Sequence, residues 1–175
     1  MDIFTGTAAR LQVAATVAIL ALQQPALGQE ATTKTPVPPQ WSIACASASA
    51  DAPLQCRMTQ ELFSSESRQR VLAVTVSRAE SGEGFDLTLA IPHGAYLPAG
   101  LALKIDDREP VKVAIESSSA VGVFARLPLD EALGAAVKRG ISMTVVVTNR
   151  SGNLIQIPVN LAGFTAALNR IAAIK

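Results

Sequence analysis

An alternation of apolar and polar residues with a period of two restricts the possible folds of this chain more than any other feature. It is clearest in residues 85–91, FDLTLAI, where every second side chain is apolar. Residues 70–78, RVLAVTVSR, have a similar pattern, and the SGEG between the two runs suits a hairpin turn. Because successive side chains of a strand point to opposite faces, the pattern predicts two antiparallel strands, each buried on one face.

Further short runs extend this β-rich pattern along the chain. The candidate strands are residues 41–45, 55–60, 101–105, 111–115, 121–127, 141–148 and 154–159. The last two flank NRSGN and form a second predicted hairpin. Charge placement predicts a helix over 129–139, and the spacing of Phe164, Leu168 and Ile171 predicts another over 163–173. The predicted fold class is mainly β: an antiparallel β-sandwich or partly closed barrel with one or two short helices.

The N-terminal region has the pattern of an export signal. Its apolar run, LQVAATVAILAL at residues 11–22, is shorter than the roughly 20 residues that cross a bilayer as a helix. Small residues at Ala26 and Gly28 suit signal peptidase and place the cut after Gly28. We therefore predict a signal peptide over 1–28, a Pro-rich linker over 29–40 and one domain over 41–175, with no stable membrane span after cleavage. An uncleaved anchor or a buried helix is the alternative.

The chain has two cysteines, Cys45 and Cys56. Export would place them where a disulfide persists, and closing so short a loop would stabilise the domain by about 2 to 3 kcal/mol. Two free thiols or a metal site are the alternatives. Since there is one histidine in the chain, a four-ligand zinc site would need carboxylates, and neither a metal nor a cofactor is predicted.

Charge and motifs give little sign of catalysis or of nucleic-acid binding. The formal net charge is +1 and no long run of either sign occurs, so no phosphate-binding face is predicted. His93 is the one candidate for the usual catalytic base, and it stands in a predicted turn. A hydrolase that pairs His93 with Asp106 or Asp107 is a minor hypothesis, because neighbouring side chains point apart and a turn explains this acidic pair. No catalytic residue is predicted.

Three segments, in a fixed order over residues 41–171, carry a family pattern. They are Trp41 with the two cysteines, then IPHGAYLPAGLALKID at 91–106, then GNLIQIPVNLAGFTAAL at 152–168. Together they resemble the invasion-associated locus B family of exported proteobacterial proteins. The matching positions are Trp41, Cys45, Cys56, Pro92, Gly94, Leu97, Gly100, Ile155, Pro158, Val159, Leu161, Gly163 and Phe164, with Asn160 in place of the usual Ser.

The resemblance implies a periplasmic, surface-associated or secreted β-domain without known catalysis, linked by the family name to entry into host cells. Its partner would be an unidentified protein of the envelope or host surface, reached through a surface such as an exposed sheet edge. The motif residues are interpreted as positions that set backbone geometry. A periplasmic carrier of small ligands or lipids, suggested by the many aliphatic residues, is the alternative.

The resemblance also implies a departure from the family. Its members commonly carry a second cysteine pair in a C-x-x-x-G-C-x-A segment. Here the matching positions are Ser118, Gly122, Val123 and Ala125, so both cysteines are absent. This chain would then rely more on its aliphatic core for stability.

Overall fold

The structure, a computed structural model, describes residues 41–174. The predicted signal peptide over 1–28 and linker over 29–40 lie outside the described residues. The elements are β1 (Ser42–Ala46), β2 (Gln55–Phe63), β3 (Arg70–Arg78), β4 (Phe85–Ile91), a 3-10 turn (Leu97–Ala99), β5 (Leu101–Ile105), β6 (Val111–Val113), β7 (Ile115–Ser119), β8 (Gly122–Pro128), α1 (Glu131–Arg139), β9 (Ser142–Thr148), β10 (Leu154–Asn160) and α2 (Phe164–Ala173).

The strands form two antiparallel sheets that pack face to face. A six-stranded sheet has the order β1-β2-β3-β4-β8-β7, and a four-stranded sheet has the order β10-β9-β5-β6. The inner faces make the core: Val76, for example, lies opposite Met58 on one side and Leu87 on the other, and all three are fully buried. The predicted β-sandwich is confirmed, and the two sheets do not join into a barrel.

Most predicted strands and both hairpins are confirmed, and one strand prediction is wrong. Residues 111–115 do not form one strand, because the chain leaves the four-stranded sheet after Val113 and enters the six-stranded sheet at Ile115. Val113 is buried in one sheet and Ile115 packs against the core from the other. An alternating pattern shows which side chains face the core but not which sheet carries them.

The two helices lie where charge placement and the spacing of apolar residues predict them. The α1 helix begins two residues later than expected, because Asp130 is its N-cap and accepts the Leu133 N–H at 2.8 Å. In α2, Phe164, Leu168 and Ile171 are buried as predicted. The ring of Trp41 meets that of Phe164 edge to face, with centroids 5.0 Å apart, so the first described residue is attached to the last helix.

The two ends of the sandwich differ. At the helical end, α1 follows β8, α2 follows β10, and the Arg78 guanidinium donates to the carbonyls of Ala172 and Ile174. At the other end, which we call the open end, the strands are connected by residues 64–69, 92–100, 120–121 and 149–153. Neither of the described α-helices lies at the open end.

The predicted disulfide is present in the structure. It joins Cys45 to Cys56, which are directly opposite partners on β1 and β2, and so fastens one edge of the six-stranded sheet. At the opposite edge, Ser118 of β7 and Val123 of β8 are also directly opposite partners. Gly122 before Val123 has a φ of 143°, and a Cβ there would lie 2.5 Å from the Ile91 carbonyl oxygen. A glycine is therefore required at this point of the C-x-x-x-G-C segment.

This geometry predicts that the double substitution Ser118→Cys with Val123→Cys restores a second bridge. Closing a loop of about six residues should raise the free energy of unfolding by about 2 kcal/mol. Urea unfolding under oxidising conditions measures the gain. The single variant Ser118→Cys is the control and should gain nothing. A double variant that stays reduced in air would show that the two edges are not equivalent.

Candidate functional site

Exposed apolar side chains are concentrated at the open end. Among residues 41–174, nine large hydrophobic side chains are exposed. Six of them belong to this end: Phe63, Tyr96, Leu97, Val121, Leu154 and Ile155. Isolated exposed hydrophobic residues are ordinary, whereas a group at one end of a domain is typical of an interaction surface.

We use the name apolar cluster for four of these residues that lie near one another along the backbone at the open end, with Leu154 and Ile155 on opposite faces of β10: Tyr96, Leu97, Leu154 and Ile155. The Tyr96 N–H donates to the Thr148 carbonyl at 2.8 Å, and Leu154 lies opposite Thr148 in the β9–β10 hairpin. Tyr96 and Leu154 therefore lie on the two sides of Thr148. Their chain segments are separated by two strand spacings, which is about 10 Å. Their side chains are 50% and 67% exposed.

A small apolar pocket lies at the open end, where Ile155 joins its wall. Its volume is about 200 Å³, and its lining includes Val71, Ile91, Val147 and Ile157, with His93 as the one ionisable side chain. Pockets for small molecules usually have volumes of about 300 to 1,000 Å³. This pocket is therefore too small for a typical small-molecule site, although three other clefts of the domain have volumes of about 450 to 570 Å³.

Several family-motif residues lie in the backbone that surrounds this pocket. Gly94 and Gly100 have φ values of 112° and 68°, in the region that favours glycine. A Cβ on Gly100 would lie 2.7 Å from the Val113 carbonyl oxygen, so this glycine also allows β5 to approach β6 closely. Pro92 lines the pocket, and Pro158 stands in β10 at the edge of its sheet.

The remaining motif residues surround the start of α2. Gly163 is the helix N-cap and has a φ of 82°. Phe164 follows it and is fully buried against Trp41. The first and last segments of the family pattern thus meet in one contact.

The hydrolase hypothesis that pairs His93 with Asp106 or Asp107 is wrong. His93 lies at the open end, whereas both aspartates follow the far end of β5, a strand of five residues that spans about 17 Å. The Asp106 carboxylate accepts the N–H groups of Ile141 and Ser142 at 3.1 and 2.9 Å. It therefore holds the start of β9 and does not orient an imidazole.

These hydrogen bonds predict a pH-dependent stability. The Ser142 N–H, opposed in part by desolvation, lowers the pKa of Asp106 below its ordinary value. A lowered folded-state pKa stabilises the fold above the unfolded pKa of about 3.9, and this contribution disappears as the pH falls through the folded value. Asp106→Asn should therefore lower the urea midpoint at pH 7, with a difference that vanishes near pH 2.

Asp107→Asn is the matched control, because no hydrogen bond of the Asp107 side chain occurs within residues 41–174. Its urea midpoint should follow the wild type at every pH. Equal losses in both variants would mean that net charge, and not the bonds to β9, sets the stability.

Other groupings of charged residues are structural. Arg126 on β8 lies 2.8 Å from a Glu80 oxygen and 3.2 Å from a Glu116 oxygen, and the bond to Arg126 lowers the pKa of Glu80. Exposed ion pairs of this kind contribute little to stability. Over residues 41–174, no three His, Cys, Asp or Glu side chains come together as possible metal ligands. In the same range, no helix combines the length and apolarity that a bilayer crossing requires.

The sequence reasoning missed the apolar cluster. One signal was available: Leu154 and Ile155 are adjacent in a predicted strand, so one must face away from the core if the other faces it. The sequence around Tyr96 gave no such signal, because the exposure of this side chain depends on how the loop between β4 and β5 runs beside β9. The loop is fixed there by the pairing of Ala95 with Asn149.

Comparison with known proteins places the chain in a family. The profile of the invasion associated locus B (IalB) protein family matches residues 41–172. Invasion protein B homologs from two strains of Brucella abortus, 2308 and biovar 1 strain 9-941, are each 32% identical over 135 residues, covering 77% of this chain and 76% of the relative. The chain belongs to the invasion associated locus B family.

A solved structure shares the fold. The crystal structure of invasion associated protein B from Bartonella henselae superposes with a TM-score of 0.65 at 22% identity. The match covers 78% of this chain and 93% of the other. The sandwich seen here is therefore the arrangement of a known family member.

Proposed function

We propose that this protein is an exported, non-enzymatic domain that acts through protein contacts made by its open end, in the bacterial envelope or at the host surface. Export is supported by the Cys45–Cys56 disulfide, since such bonds persist in oxidising compartments. It is also supported by the names of the relatives, which are invasion proteins.

The observation that carries the proposal is the meeting of two family segments at the open end. Residues 91–106 supply Tyr96 and Leu97, and residues 152–168 supply Leu154 and Ile155. The pairing of Ala95 with Asn149 and the shared pocket bring these segments together across more than 50 positions of sequence. Aromatic side chains such as that of Tyr96 are enriched at protein interfaces, and the buried centre of an interface is more apolar than its rim.

Cross-linking in intact cells tests this proposal. A photo-reactive residue at position 97 should give adducts with an envelope or host-surface protein, and Leu154→Lys should reduce the adducts at least tenfold, because a charge would enter the centre of the contact. Cell fractionation of the same samples should find the protein outside the cytoplasm.

Ile141→Lys is the matched control. Ile141 is more exposed than Leu154, at 82% against 67%, but it stands at the helical end. Its variant should keep the wild-type adducts. Equal loss in both variants, or a protein confined to the cytoplasm, would refute the proposal.

A further inference from the structure

The two sheets of the sandwich are unequal in width, and this inequality leaves one sheet edge partly uncovered. Six strands face four, so β1 and β2 reach beyond β10. The α2 helix packs against β1 and β2 and covers part of that overhang with buried Phe164, Leu168 and Ile171.

The direction of the backbone groups along β10 follows from the bonds at its two ends. Asn149 donates to the Asn153 carbonyl, and Leu161 donates to the Ile141 carbonyl. In an antiparallel pair, alternate residues bond to the partner strand. Ile155, Ile157 and Val159 therefore bond to β9, and the N–H and C=O groups of the residues between them point away from the sheet.

The second half of this edge is closed. Pro158 has no N–H to offer, as is usual for a proline on an edge strand. The Asn160 carbonyl accepts the Gln60 amide of β2 at 3.0 Å. A further strand could not pair with this half.

The first half of the edge is open at Leu154 and Gln156. Both residues are exposed, and no hydrogen bond to their outward backbone groups occurs within residues 41–174. On the inner side of the same edge, Ile155 is 47% exposed and Leu62 of β2 is only partly buried. An extended segment placed here would find both backbone partners and apolar side chains.

We propose that the Leu154–Gln156 edge receives an extended segment of a partner protein as a fifth strand of the four-stranded sheet. The segment would carry apolar residues at alternate positions, which would face Ile155 and Leu62, while its backbone bonds to Leu154 and Gln156. This inference rests on the proposed function and specifies the chemistry of the partner.

A defined peptide tests the inference without knowledge of the natural partner. The probe is the peptide Lys-Thr-Val-Thr-Val-Thr-Lys, acetylated and amidated at its ends, and the readouts are fluorescence anisotropy of a labelled copy and amide hydrogen exchange by NMR. Binding should slow exchange at the Leu154 and Gln156 amides at least tenfold. The Ile155 amide, already bonded to β9, should change little.

Two substitutions at one position separate backbone from side chain. Gln156→Pro removes the outward N–H without removing a bond to β9, and it should weaken peptide binding at least tenfold. Gln156→Ala keeps the N–H and should bind within threefold of wild type. Urea midpoints of both variants verify folding, and the exchange data on the wild type need no substitution.

Several results would overturn the inference. The first three are failure of the peptide to bind at millimolar concentration, slowed amide exchange at β1, β6 or β7 in place of β10, and equal peptide binding by wild type and Gln156→Pro. The fourth is slow exchange of the Leu154 and Gln156 amides in the free protein that disappears when residues 29–40 are removed. If Gln156→Pro leaves the cellular adducts intact while Leu154→Lys abolishes them, the strand addition fails and the proposed function stands.

Discussion

The packing of a six-stranded sheet on a four-stranded one is the constraint on which the rest of the structure depends. The narrower sheet does not extend over β1 and β2 at one edge of the wider sheet, where β2 carries the buried Cys56 and Met58. Exposure of these apolar side chains would cost free energy in proportion to their area, at about 25 cal/mol per Å². The α2 helix and Trp41 provide the cover, which is why a helix follows the last strand.

This constraint explains why the family pattern has widely separated parts. Trp41 and Phe164 lie at opposite ends of the domain sequence, and they meet in one edge-to-face contact over the overhanging strands. The central segment meets the closing one at the open end instead. The three segments of the family pattern therefore make two separate contacts. One contact completes the core, and the other shapes the open end.

Much of the local structure could be predicted from the sequence, because strands and helices each have their own characteristic spacing of apolar residues. The bounds of Arg70–Arg78 and Phe85–Ile91 follow directly from alternation. The division of strands between sheets did not follow, since Val113 and Ile115 satisfy the same pattern from different sheets. The exposure of Tyr96 did not follow either, because the tertiary course of a loop exposes this side chain and no local preference does.

The disulfide could also be predicted from the sequence, but its location at one edge of the six-stranded sheet could not. Cys45 and Cys56 fasten one edge of the wider sheet, while Ser118 and Val123 occupy the equivalent positions at the other. Only the strand register shows that the two edges are equivalent. The β7 edge is consequently held without a disulfide, by its hydrogen bonds to β8, the contacts of Ile115 and the ion pair between Glu116 and Arg126.

The contact between Trp41 and Phe164 also has a spectroscopic consequence. Trp41 is the single tryptophan of the chain and its ring meets Phe164, so the docking of α2 affects its fluorescence directly. Circular dichroism reports mainly on the sheets. If the fluorescence signal changes at a lower denaturant concentration than the circular dichroism signal, the helix leaves before the sandwich opens, and the domain has a partly uncovered state in which the apolar side chains of β2 under α2 become accessible.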